Sequence, residues 1–102
     1  MYARVIFGKI VSQNETVVTS FYRNEVVPTV RQQQGFKGII QMVNPATGET
    51  LSISLWETEA DMKATENNDY YRRQFAKLAS FDATGPRLVD YKVNILEYPD
   101  GQ

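Results

Sequence analysis

The residues with most chemistry to offer lie in one run, Leu51-Ser52-Ile53-Ser54-Leu55-Trp56, followed closely by Glu57, Glu59, Asp61 and Glu66. Trp56 joins a large ring to an N–H that needs an acceptor, and Ser52 and Ser54 set small hydroxyls at alternate positions before it. On a strand all three share one face. That face can line a pocket, or it can be a core tryptophan beside two serines at a strand edge. The acids after it suit the positive end of a helix, so no metal site is expected from them. Arg72, Arg73 and Lys77 make a basic helical strip, read as a solvated face. Tyr22, Tyr70 and Tyr71 are phenols that could orient an aromatic ligand, though packing is the plainer use.

Composition narrows the chemistry further. The chain has 102 residues, no cysteine and no histidine, so thiol nucleophiles, disulfides and the commonest general base and metal ligand are all missing. Its 11 basic and 12 acidic residues give a net charge of -1, which removes the electrostatic drive toward nucleic acid or an anionic membrane. No long apolar run or basic-then-apolar leader is present, and a single cytoplasmic domain over residues 1–102 is expected. Asn14-Glu15-Thr16 matches a glycosylation acceptor, to which that location gives no weight.

The elements that must hold these residues follow from spacing. Tyr2 to Val11 reads as a strand, weakened at Gly8. Asn14 reads as a cap for a long helix to Gln34, with Val18, Phe21, Tyr22, Val26 and Val30 at three- and four-residue spacing; Pro28 should kink or split it, and Gly35 should stop it. Phe36 to Val43 and Thr50 to Trp56 form a hairpin around Asn44-Pro45-Ala46-Thr47-Gly48-Glu49. Thr58, three residues before Asp61, caps a helix running to Ser80, which Asn67-Asn68-Asp69 should break into two. Phe81 to Pro86 reads as a loop and Leu88 to Tyr98 as a last strand. The order is that of a ferredoxin-like β-α-β-β-α-β sandwich, an α+β fold with helices on one face of a four-stranded antiparallel sheet.

The strands carry one clean apolar set, including Ala3, Val5, Phe7, Leu51, Ile53 and Leu55. The opposite set is mixed and holds Tyr2, Arg4, Ile6, Ile39, Ser52, Ser54, Trp56 and Leu96. Both faces hold too much apolar surface for open water, so one should lie under the helices and the other against a second copy in a two-fold dimer. The same strand order occurs in RNA-recognition domains, but Leu51-Ser52-Ile53-Ser54-Leu55 offers no aromatics for bases to stack on.

A leading strand, a proline-interrupted helix ending Arg31-Gln32-Gln33-Gln34-Gly35-Phe36-Lys37-Gly38, and a third strand ending Leu55-Trp56-Glu57-Thr58-Glu59-Ala60 together resemble the antibiotic biosynthesis monooxygenase family, over nearly the whole chain. The resemblance implies a dimeric α/β barrel, two sheets packed across the dimer, and a ligand pocket between each sheet and its own helices, lined by Trp56. It implies oxidation of aromatic phenols to quinones without a cofactor. Where those oxygenases carry an asparagine four residues before the tryptophan and a tyrosine six after it, this chain has Ser52 and Met62. Haem-degrading relatives place a histidine ten residues after the tryptophan, where Glu66 stands here, so that branch is disfavoured. In an enzyme of this type Trp56 would stack on the substrate, Ser52 and Ser54 would orient it, and Arg4 could stabilise a developing phenolate or peroxy anion. Trp56, Ser52 and Arg4 are thus the candidate catalytic residues, and Ser54, Ile6, Ile39, Met62, Tyr22 and Tyr71 the candidate substrate-binding ones. The competing reading is a non-catalytic ligand-binding or dimerisation module of the same fold.

Overall fold

In a computed structural model the elements run β1 (Tyr2–Lys9), a 3₁₀ turn (Ser12–Asn14), α1 (Glu15–Phe21), a π-helical turn (Tyr22–Val26), α2 (Val27–Val30), β2 (Phe36–Val43), β3 (Glu49–Trp56), α3 (Glu59–Ala64), a second 3₁₀ turn (Thr65–Asn67), α4 (Asp69–Ser80) and β4 (Arg87–Lys92). The structure describes residues 1–81 and 85–99, with the side chains of Ser12, Tyr70 and Tyr71 outside that description. The strands form one antiparallel sheet in the order β2-β3-β1-β4, the ferredoxin-like arrangement expected from the element order.

Register sorts the side chains into two faces. Arg4 stands opposite Ser54 and Asp90, Ile6 opposite Ser52 and Leu88, and Ile39 opposite Ser54, so the mixed set shares one face. The helices cover that face. One buried cluster joins Ile10, Val18, Phe21 and Tyr22, with Ile39 and Leu78 packed against it; a second joins Val30, Trp56 and Met62, with Tyr2, Phe36 and again Ile39 against it. The other face carries the clean set, and there Ile40 is 51% and Met42 40% exposed.

Several boundaries differ from the sequence reading, each for a local reason. Asn14 does not cap the first helix through its side chain; it has helical dihedrals and ends a 3₁₀ turn. Around Pro28 the break takes the form of the π turn before it, with the Val27 N–H reaching back to the Tyr22 carbonyl. The wider register takes up the disturbance of a residue that has no N–H to donate. The helix ends at Val30, and the chain reaches Gly35 (φ 81°) through tight turns closed by Gln32 N–H to Thr29 O and Gln33 N–H to Val30 O. A side chain at Gly35 would strike the Asp61 carboxylate as well as strain the backbone. The last strand stops at Lys92 rather than Tyr98, because β1, its one neighbour among the described residues, begins at Tyr2 opposite Lys92. Leu96 accordingly lies off the sheet.

The junctions around the third strand match their expected chemistry. Thr58 is extended (φ -133°, ψ 161°) and its Oγ1 accepts from Asp61 N–H at 3.1 Å. The second helical region breaks at Asn68, whose ψ of 116° is extended, and restarts at Asp69. One feature the pattern did not show is a bulge at Lys37. Phe36 pairs with Trp56 and Gly38 with Leu55, so Lys37 is extra. The bulge turns Phe36 to the inner face, where its ring meets Trp56 edge-on at 5.7 Å. Lys37 then bonds Glu57 at 2.7 Å at the surface; the hydrogen bond, and after it the opposite charges, lower the Glu57 carboxyl and raise the Lys37 ammonium from their usual ranges. Any stability the pair adds is present at neutral pH and fades as pH falls through the Glu57 titration or rises through that of Lys37.

Arg4 pins the helical layer to the sheet. Its side chain is 1% exposed. Nε and Nη2 donate to the two oxygens of Asp90 at 2.8 and 3.0 Å, Nη2 also reaches Glu66 Oε1 at 2.8 Å, and Nη1 donates to Thr65 Oγ1 at 3.3 Å. A buried guanidinium is tolerated when forked and paired in this way, and here it joins β1, β4 and the turn from which α4 starts. Removing it as Arg4→Met is expected to lower stability by about 1–3 kcal/mol, less than for a fully buried pair. The discount follows because the Glu66 and Asp90 side chains keep 54% and 26% exposure and can rehydrate. Urea unfolding measures this, and an unchanged midpoint would show that the clasp adds nothing.

Candidate functional site

Between the inner sheet face and the helices lies a cleft floored by Ile6, Ile39, Ser52 and Ser54 and walled by Tyr22, Val26 and Val30 on one side and Gln74, Phe75 and Leu78 of α4 on the other. The cleft is open to solvent at its mouth and holds a free cavity of about 30 Å³. The floor exists because β3 puts serines where a covered strand usually puts branched residues; the missing methyl groups leave the space. No charged side chain lines it among the described residues.

Trp56 is not on the wall. It is 1% exposed, packed with Val30, Met62 and Phe36, and its Nε1–H donates to Ser54 Oγ at 2.9 Å. The ring therefore lies beside the cavity with its one polar group already used, in the core position of the two readings above. Ser54 lines the cavity and its hydroxyl donates to no acceptor among the described residues. Ser52 is buried at the floor and its hydroxyl has no hydrogen-bond partner among the described residues.

The structure brings Ser52, Ser54, Ile6, Ile39 and Tyr22 together and leaves Trp56, Met62 and Arg4 elsewhere. Met62, fully buried, packs against Trp56. Arg4 lies off the cavity with its guanidinium bound to Asp90, Glu66 and Thr65, because a charge under the helices had to be paired there. The Tyr71 side chain lies outside the described residues. The acids are dispersed: Glu57 pairs with Lys37, Glu59 with Lys63 and Glu66 with Arg4, and among the described residues no three acids converge as metal ligands.

Sequence reasoning missed Gln74. It is 9% exposed, and its Nε2 donates to the Glu25 carbonyl and to Thr29 Oγ1, both at 2.8 Å. The signal was legible, since position 74 falls three residues after Tyr71 and four before Leu78, inside the apolar stripe. A polar residue within such a stripe has to meet something polar. The Glu25 carbonyl sits in the π turn just before Pro28, where the helix's own bonding is disturbed.

No protein-family model and no curated protein sequence matches the chain. Solved structures do. A monooxygenase of Streptomyces coelicolor, from the gene ActVA-Orf6 and in complex with the ligand nanaomycin D, matches with a TM-score of 0.83 at 13% identity, over 96% of this chain and 91% of that one. An antibiotic biosynthesis monooxygenase matches with a TM-score of 0.73 at 17% identity, over 91% and 98% of the two chains. SnoaB, a cofactor-independent oxygenase of Streptomyces nogalater, matches with a TM-score of 0.73 at 9% identity, over 93% and 94%. Identities this low carry a backbone and not a chemistry. The backbone arrangement is nonetheless shared over nearly the whole chain, which has the fold of the antibiotic biosynthesis monooxygenases.

Proposed function

We propose that the chain binds a small, flat, largely apolar aromatic in the cleft under α4 and oxidises it with molecular oxygen, using no cofactor. The observation that carries this reading is the lining: apolar walls around Ser52 and Ser54, whose hydroxyls donate to no acceptor among the described residues. Support comes from the neighbour of known fold that holds a small ligand and is called a monooxygenase. For an anthrone-type substrate the atoms balance without an outside reductant. One methylene becomes a carbonyl, one oxygen atom enters it, the other leaves as water, and the substrate supplies all the electrons. The chain would exclude water, orient the ring, and donate from Ser52 to the oxygen on which charge develops. Trp56 would act through Ser54, holding that hydroxyl in place as a positioning residue.

The free space of about 30 Å³ suits a water and is far below the ~150 Å³ of a cavity that takes up benzene. A ring therefore enters only if a wall moves. A second reading, a binding module without catalysis, is favoured by the lining itself, which holds no carboxylate, arginine or lysine among the described residues to take or steer a proton.

A second copy is proposed to cover the clean sheet face, where Ile40, Met42 and Tyr91 are exposed beside Leu51, Ile53 and Leu55. Permanent pairs bury about 2,000 Å² or more, so unfolding and dissociation would be one transition whose midpoint rises with concentration. Ile53→Asp should then give a folded monomer by sedimentation, whereas a variant that stays dimeric, or a monomeric wild type at micromolar concentration, removes this face from consideration. For the catalytic reading, oxygen uptake is expected to exceed the buffer rate with anthrones or hydroxylated naphthalenes, with one quinone formed per oxygen consumed. Background uptake across the panel would sink catalysis and leave the binding module.

A further inference from the structure

We infer that Gln74 is the specificity-determining residue of this cavity and selects an uncharged aromatic bearing a hydroxyl, whose proton its Oε1 accepts; the inference rests on the cleft being the ligand site. The orientation of the amide is fixed by its partners. Glu25 presents a carbonyl oxygen, which only the NH₂ end can meet, and Thr29 Oγ1 takes the same nitrogen, both at 2.8 Å. Turning the amide over would set Oε1 against the Glu25 carbonyl, oxygen to oxygen. Both N–H donors are therefore used, and Oε1 is left with no partner among the described residues on a side chain that lines the cleft and is 9% exposed.

An acceptor held in this way favours a donor on the ligand. The amide need not turn over to bind one, and an apolar group set against it would bury an oxygen that has no partner. The rest of the lining excludes charge. Apart from Tyr22, the cleft is lined by Ile6, Ile39, Val26, Val30, Phe75, Leu78, two serines and Gln74, so an ionised carboxylate would be desolvated without a counter-ion and would face the lone pairs of Oε1. A phenol satisfies both conditions, an aryl ether fails the first and an aryl carboxylate the second.

The chain holds one tryptophan, so its indole N–H gives a single, assignable signal in a nitrogen-15 NMR spectrum, and its acceptor Ser54 lines the cleft. Titrating the full chain with naphthol, methoxynaphthalene and naphthoate while following that signal separates the three chemistries on one ring system. Naphthol is expected to bind about ten-fold tighter than methoxynaphthalene, and naphthoate to give no saturable shift. Gln74→Met, which keeps the length and removes the acceptor, should bring the first two to equal affinity. If Gln74 only ties the helices together, both ligands weaken by the same factor and their ratio persists, which overturns the inference. The wild-type ratio tests it whether or not the variant folds: equal affinities for naphthol and methoxynaphthalene overturn it while leaving the ligand site standing, and no shift with any of the three overturns both.

Discussion

A buried indole N–H without an acceptor costs about 1–3 kcal/mol, and Trp56 avoids that with a hydroxyl two residues back on its own strand. The rest of the inner face follows from this bond. Position 54 must carry a short side chain ending in oxygen, so β3 cannot fill the space above it, and Ser52 continues the same shortfall toward the other end of the strand. The ring itself is held by Val30, Met62 and the bulge-turned Phe36, away from the void. One strand thus supplies both the tryptophan's partner and the floor of the cleft, and the helices need only leave the space open.

The charge buried at Arg4 ties this arrangement to the helical layer. Asp90 belongs to the outermost strand and Glu66 to the turn before α4, so a single guanidinium joins the sheet's edge to the base of α4. It also explains the residue ten positions after Trp56. Glu66 is bound to Arg4, so a histidine there would remove one of the guanidinium's two carboxylate partners among the described residues.

Much of this was legible from residue types alone. Period-two alternation sorted Arg4, Ile6, Ile39, Ser52, Ser54 and Trp56 onto one face and Leu51, Ile53 and Leu55 onto the other, and the register agrees. Thr58 with Asp61, and Asn68 with Asp69, fixed the helix breaks because capping and turn chemistry are local. What alternation cannot convey is how far a side chain reaches and what it meets. Trp56 was placed on the correct face but could turn toward cavity or core, and Arg4 was assigned a chemical role because its partners lie more than sixty residues away along the chain. The bulge at Lys37 hid in a run of ordinary strand formers. Gln74 was passed over because a polar residue in an apolar stripe looks like a lapse in the pattern until the Glu25 carbonyl appears beside it.

The order of the strands bears on how the chain is made. Of the four strands β1 is made first, yet it lies in the middle of the sheet, between β3 and β4. Both its edges stay open until the third strand arrives, and one stays open until the last; Arg4 carries its charge without Glu66 or Asp90 for most of synthesis. The pairing of Tyr2 with Lys92 closes the longest loop in the sheet. Loop closure on that scale slows folding, and an unpaired central strand is an aggregation hazard while it waits. The exposed cation on that nascent strand would discourage edge-to-edge association in the interval, so the residue that clasps the finished fold would also guard the unfinished one.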